Sequence, residues 1–155
     1  MRATKQLYSQ VDETGNVVAE RLHLLPGMKL PQGHTWVPFI APVSEVKSRK
    51  KSEINSNRSS AKIASVTYLD KEWQADKVSS DLLVNTILLV SLDIIPVPTI
   101  WRSLDNTNVE VTLQDLKSIA ALIAINTQDA YTKSWQLKDS IDSATTVEDI
   151  SAITW

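Results

Sequence analysis

The chain has 155 residues, enough for one domain or for one domain with a small appendage. Its 43% hydrophobic and 22% charged content is that of a globular chain, and the net charge of −2 argues against general nucleic-acid binding, which needs a basic surface to release counterions. With no Cys there are no disulfides, thiolate metal sites or Cys nucleophiles, so the fold suits a reducing or an oxidising compartment equally.

Residues 1–42 differ in composition from the rest. They hold all three Gly residues and four of the six Pro residues. The first residues lack the continuous apolar core of a signal peptide. Lys5–Val11 is strand-compatible, Asp12–Asn16 is a turn, and Val17–Leu25 is the returning strand of a hairpin. Pro26-Gly27 and Pro31-Gln-Gly33 mark two turns. His34–Ile40, with Trp36 and Phe39, is a short extended segment that Pro38 confines to an edge. A two-stranded hairpin is marginal alone in water, so this arm packs on a partner, on a second copy or on its own domain. The shift in composition favours the first two. Residues 43–155 are read as a second domain.

Residues 43–62 read as a helix with a thin apolar stripe, Val43, Val46, Ile54 and Ala61, with Lys50 in its gap. Six cations stand against Glu45 and Glu53, a local balance of +4. No aromatic residue interleaves them, so a solvated or oligomer-paired helix face is the better reading than a nucleic-acid patch. Ser65–Ala75 is a hairpin turning at Asp70–Glu72. Ser79 or Ser80 then caps a helix with Asp81 in its first turn. Leu82, Leu83, Ile87, Leu89 and Val90 cover most of its circumference, which predicts a buried helix ended by Pro96 and Pro98. The run Leu82–Val97 contains Asn85, Thr86, Ser91, Asp93 and Pro96, so it is core and not a membrane span.

Ile100–Ser103 and Asn108–Thr112 are short strands about a polar turn. Thr112 and Asp115 resemble a capping box. From Leu113 the positions Leu116, Ile119, Ala120, Ile123, Thr127, Ala130, Ser134, Leu137 and Ile141 step by three or four. They predict one helix of about 30 residues, roughly 45 Å long. The small Ala130 and Ser134 would let another helix approach closely. Leu122, Ile125 and Trp135 fall off this face and mark a second contact surface, or else lie under the hairpins of the same domain. Thr145–Asp149 starts a last short helix, and Trp155 is expected to be docked. The expected fold class is therefore α+β: a β-hairpin arm, then alternating helices and short hairpins with a long C-terminal helix. Trp36, Phe39, Trp101, Ala130, Ser134, Trp135 and Trp155 are the candidate interface residues.

The search for chemistry finds no constellation. His23 and His34 lie in the arm, and Glu20 and His23 point to opposite faces of a strand, so no metal set forms. No Ser sits in a Gly-flanked elbow beside a base. Asp139 and Asp142 sit one turn apart, which a solvated helix end explains, and Glu148 and Asp149 favour a helix N-terminus. No cofactor is implied, phosphate-cradling Gly being absent after residue 33. A non-enzyme is expected.

Four blocks carry a resemblance. They are Glu45–Arg58 with its spaced Ile and Arg; Val66-Thr-Tyr68 with Lys71–Asp76; Trp101–Leu116, a Trp, then Asp-Asn, then a helix opening on Thr; and Leu137–Ile141 with Ala144–Val147. In order and spacing they resemble a domain family of uncharacterised activity found in tailed-bacteriophage proteins, often beside tail-fibre genes, over about two-thirds of the chain. That family often has Gly in the first hairpin, where this chain has Asp70-Lys71. Leu30–Trp36 resembles a short Pro/Gly segment of tail-fibre assembly proteins. The resemblance implies a virion component of the phage tail, assembled in the host cytoplasm. Tail-fibre or baseplate proteins and further copies of the chain would be its partners, with no nucleic acid and no membrane. A dissociable tail-fibre assembly chaperone is the alternative, and no catalytic residue is carried over.

Overall fold

The computed structural model describes residues 7–24 and 27–155. It is α+β and divides into two compact units, residues 1–42 and 43–155. Lys5, Leu25 and Pro26, at the limits of the expected strands and turn, lie outside the described residues.

The first unit is a three-stranded antiparallel sheet rather than a hairpin with a loose extension. β1 (Tyr8–Val11) lies between β2 (Val17–Leu22) and β3 (Thr35–Pro38). β3 pairs in regular register, from Tyr8 opposite Pro38 to Val11 opposite Thr35. Pro38 is tolerated because β3 is an edge strand. Asp12 Oδ1 closes the first turn, accepting from the Thr14 and Asn16 backbone N–H groups, each at 2.9 Å. Register shifts bulge the β1–β2 pair, and Arg21 there adopts φ 59°. Ser9 is the sole fully buried residue among those described in this unit. Val17, Val18, Met28, Val37 and Ile40 remain exposed. The sheet has the strand number of a stable unit but not the apolar core of one.

In the second unit, α1 (Val43–Lys62) is followed by the hairpin β4 (Val66–Tyr68) and β5 (Lys71–Trp73). The turn is Leu69-Asp70, one residue earlier than the sequence suggests. Both residues have positive φ, 53° and 54°, the geometry of a type I′ turn that normally selects Asn-Gly. Trp73 is buried and its Nε1–H donates to the Tyr68 carbonyl at 2.8 Å. Leu104 N–H donates to the Glu72 carbonyl at 2.8 Å, joining this hairpin to the next, β6 (Thr99–Arg102) and β7 (Asn108–Val111).

α2 spans Lys77–Ser91, and its N-cap is Asp76 rather than Ser79 or Ser80. Asp76 Oδ1 accepts from the Val78 and Ser79 backbone, and Ser79 Oγ donates to Asp76 Oδ2. The helix is not buried all round. Leu83, Thr86 and Val90 face inward, while Leu82 and Leu88 are 57% and 56% exposed. A unit of this size has two layers, and no element of residues 43–155 covers the outer side of α2.

α3 (Leu113–Ser143) is the 31-residue helix expected, and its capping box is complete in both directions. Leu116, Ile119 and Ile123 join Val66, Trp73, Leu83, Val90 and Val111 in the main core. Leu122 packs partly against the same core, so it belongs to the domain. The far half of α3 faces α1, and α4 (Val147–Ala152) closes the end with Ile150 fully buried. Positive φ disfavours Leu69 and Asp70, so the double change Leu69→Asn with Asp70→Gly should stabilise the unit by about 1 kcal/mol. A thermal melt followed by circular dichroism should then shift upward by roughly 3–6 °C. An unchanged or lower midpoint would contradict the turn geometry.

Candidate interaction site

The far half of α3 is where the sequence places a helix-contact surface, and α1 occupies it. Asn126 Nδ2 donates to the Ala61 carbonyl at 2.9 Å, and Lys51 Nζ meets Asp142 Oδ1 at 2.6 Å. These contacts fix α1 antiparallel along α3. Ala130 and Ser134 lie between them and are buried, Ser134 at 0% exposure. They are therefore corrected from outer contact residues to internal ones. Their small side chains admit the helix that precedes them in the same chain. Ser134 Oγ has no hydrogen-bond partner among the described residues.

Four cations of α1, Lys47, Lys51, Arg58 and Lys62, reach α3 across this joint. Lys47 Nζ donates to the Asp142 carbonyl at 2.8 Å, while Lys50 pairs with Glu53 within α1 at 3.0 Å. Lys62 Nζ donates to Tyr131 Oη at 3.2 Å, and the Arg58 guanidinium lies 4.9 Å from the centre of the same ring. The hydrogen bond from Lys62 holds the Tyr131 hydroxyl below its usual pKa, and the nearby charges of Lys62 and Arg58 act in the same direction. Each surface ion pair is worth little alone. Cations placed over a ring add directional attraction where water is partly excluded.

Trp135 stands outside this joint. Its ring is 5.9 Å from that of Tyr131, and the residue is 52% exposed. Ile125 on the same helix is also exposed. Trp101 is half-buried against the core and, with Ile100, Leu82, Ser79, Gln74 and Arg102, lines an open hollow of about 320 Å³ between α2 and β6. Trp155 is half-buried, with Lys133 Nζ 5.0 Å from its ring centre, so it docks on its own α3. In the first unit Trp36 and Phe39 are half-buried, and Arg21 stacks 5.1 Å over Phe39.

Sequence reasoning missed the outer side of α2. The available signal was the absence of charge from Leu82 to Leu92 together with a regular spacing of apolar residues. It also missed Asp142 as the partner of Lys51, because pairing across 91 residues leaves no local trace.

The titratable groups are explained by local structure. The Thr112 hydroxyl and backbone hold the Asp115 carboxyl below its ordinary pKa, and Tyr68 Oη adds a donor at 2.9 Å. Ser103 does the same for Asp105, helped by Thr107 and Lys71. Ser79 does so for Asp76. His34 Nδ1 lies 2.8 Å from Gln10 Nε2. Among the described residues no group of three His, Cys, Asp or Glu could hold a metal ion, and no helix is long and apolar enough to cross a membrane. The arrangement offers aromatic and aliphatic contact surface.

A family model described as a domain of unknown function (DUF4376) matches residues 45–154. No curated protein and no solved structure matches the chain.

Two outcomes follow from this geometry. Asp76, Asp105 and Asp115 have depressed folded-state pKa values, so their stabilisation is complete above the unfolded value near 4 and is lost as pH falls through the folded values. The melting temperature should be level from about pH 7 to pH 5 and decline below about pH 4, with the decline shallower in Asp105→Asn. Ser134→Ala removes an unpartnered buried hydroxyl and should leave stability unchanged or raise it by up to about 1 kcal/mol in denaturant titration. Destabilisation beyond that would mean the hydroxyl has a partner.

Proposed function

We propose a function from the premise that the chain belongs to the DUF4376 family: it is a non-enzymatic structural component of a bacteriophage tail, at the baseplate or the tail fibre, acting through protein–protein assembly. One observation carries the assembly part of this reading. The described residues 7–24 and 27–42 form a sheet whose apolar side chains, among them Val17, Val18, Val37 and Ile40, are exposed and have no core of their own. A sheet built this way gains most of its burial from whatever it docks against. The resemblance of residues 45–58, 66–68, 71–76, 101–116, 137–141 and 144–147 to a domain family found in tailed-bacteriophage proteins supplies the setting.

Within the second unit, Trp135 supports the same reading. A half-exposed Trp braced by a Tyr ring is the kind of side chain that anchors interfaces, because it offers a large rigid area at small entropic cost. The half-buried Trp36 and Phe39 extend the aromatic set onto the sheet.

The test is a protein inventory of purified phage particles. We expect the chain to be present at fixed stoichiometry in tails. Its absence there, combined with misfolded fibre protein when the chain is deleted, would replace the structural role with that of a dissociable assembly chaperone. Deleting residues 1–42 should leave residues 43–155 cooperatively folded, since that unit has its own core, and should abolish incorporation into tails. Trp135→Ala should cost less than about 1 kcal/mol of stability while weakening partner binding at least tenfold by titration. Retained incorporation of the deleted chain would count against the role of the sheet.

A further inference from the structure

We propose that the outer side of α2 pairs two copies of this chain in an antiparallel arrangement, with the two-fold axis passing through Asn85. The proposal goes beyond the tail reading and stands whether or not that reading holds. Val78, Leu82, Asn85, Leu89 and Leu92 follow one another at spacings of four, three, four and three residues. That is the spacing of a helix-pairing seam, and all five positions are exposed while Leu83, Thr86 and Val90 face the core. The four apolar members are between 36% and 78% exposed.

Two features select a second copy as the occupant. First, the stripe is nearly symmetric about Asn85. Val78 lies seven residues before it and Leu92 seven after, while Leu82 lies three before and Leu89 four after. An antiparallel copy sets Val78 against Leu92 and Leu82 against Leu89, as a two-fold interface requires. Second, Asn85 is the one polar residue of the stripe. Its amide both donates and accepts, so it is satisfied by another Asn85 on the axis, and a single buried Asn is a known means of fixing register between helices.

The area is sufficient. Each aliphatic side chain offers on the order of 100 Å² when fully exposed, so the four seam residues with exposed Leu88 and Ile94 present roughly 300–400 Å² of apolar surface per copy. At an apolar share of about 60%, two copies would bury roughly 1,000–1,300 Å² in total, the low end of specific interfaces. Area does not set affinity, but interfaces at this low end are typically those of weak, reversible complexes.

Sedimentation equilibrium on the full chain from roughly 1 to 200 µM tests this. The mass should rise from 17.2 kDa toward twice that value, and Leu89→Glu should hold it at 17.2 kDa with an unchanged circular dichroism spectrum. The chain has no Cys, so single Cys variants report geometry without background. Under mild oxidation Asn85→Cys should cross-link to itself, because residues on the axis approach within the roughly 7 Å a disulfide spans. Val78→Cys should not, because its own counterpart lies roughly 20 Å away. Val78→Cys mixed with Leu92→Cys should cross-link. A mass of 17.2 kDa across the whole range overturns the proposal and leaves the stripe to residues 1–42 or to a foreign chain. A dimer that survives Leu89→Glu, or self-cross-linking of Val78→Cys in place of Asn85→Cys, overturns it equally.

Discussion

The second unit depends on how α3 begins. Asp115 Oδ2 accepts from the Thr112 backbone N–H at 2.8 Å and from its hydroxyl at 2.6 Å, and the Thr112 hydroxyl in turn accepts from the Asp115 backbone N–H. The other oxygen of Asp115 receives the Tyr68 hydroxyl. One carboxylate thus fixes the first turn of the helix and ties the β4–β5 hairpin to it. The start of a helix sets the phase of everything after it, since each residue turns by a fixed angle. With the phase set at Thr112, Leu116, Ile119 and Ile123 face α2 and the hairpins, and Ala130, Ser134 and Ile141 face α1 and α4.

The two halves of α3 then do different physical work. The first half buries branched aliphatic side chains around Trp73, where burial of apolar area supplies the stabilisation. The second half has small side chains that let α1 approach, and polar anchors at both ends, Asn126 to Ala61 and Asp142 to Lys51, set the register. Both inner faces of α3 are consumed within the unit. Among the large apolar side chains left exposed are Trp135, Ile125 and those on the outer side of α2. The first unit shows the same imbalance in stronger form, with a complete strand network and almost no buried side chain.

The features legible in the sequence are those decided by neighbours in the chain. The extent of α1 and α3 and the Thr112–Asp115 cap follow from local spacing and local hydrogen bonding, whereas α2 ends at Ser91, five residues before Pro96, where Asp93 adopts φ 57°. The features that escaped depend on what lies opposite. The apolar circumference of α2 gives the same pattern whether a third layer covers it or not. Ala130 and Ser134 announce a close helix contact but not that α1 of the same chain makes it. β3 joins β1 through backbone pairing across more than twenty residues, which Trp36 and Pro38 do not signal. The turn at Leu69-Asp70 carries positive φ on residues that disfavour it, so turn chemistry pointed one residue too far along.

We propose that the surfaces left open by α2, Trp135 and the sheet are contact surfaces in an assembly. Hydroxyl-radical footprinting read by mass spectrometry tests it on individual side chains, comparing the dilute isolated chain with the chain in purified tail particles. Trp73 should be protected in both states. Trp135, Leu82 and Leu88 should be modified in the isolated chain and protected in the particles. An identical pattern in both states, or absence of the chain from the particles, would contradict the account.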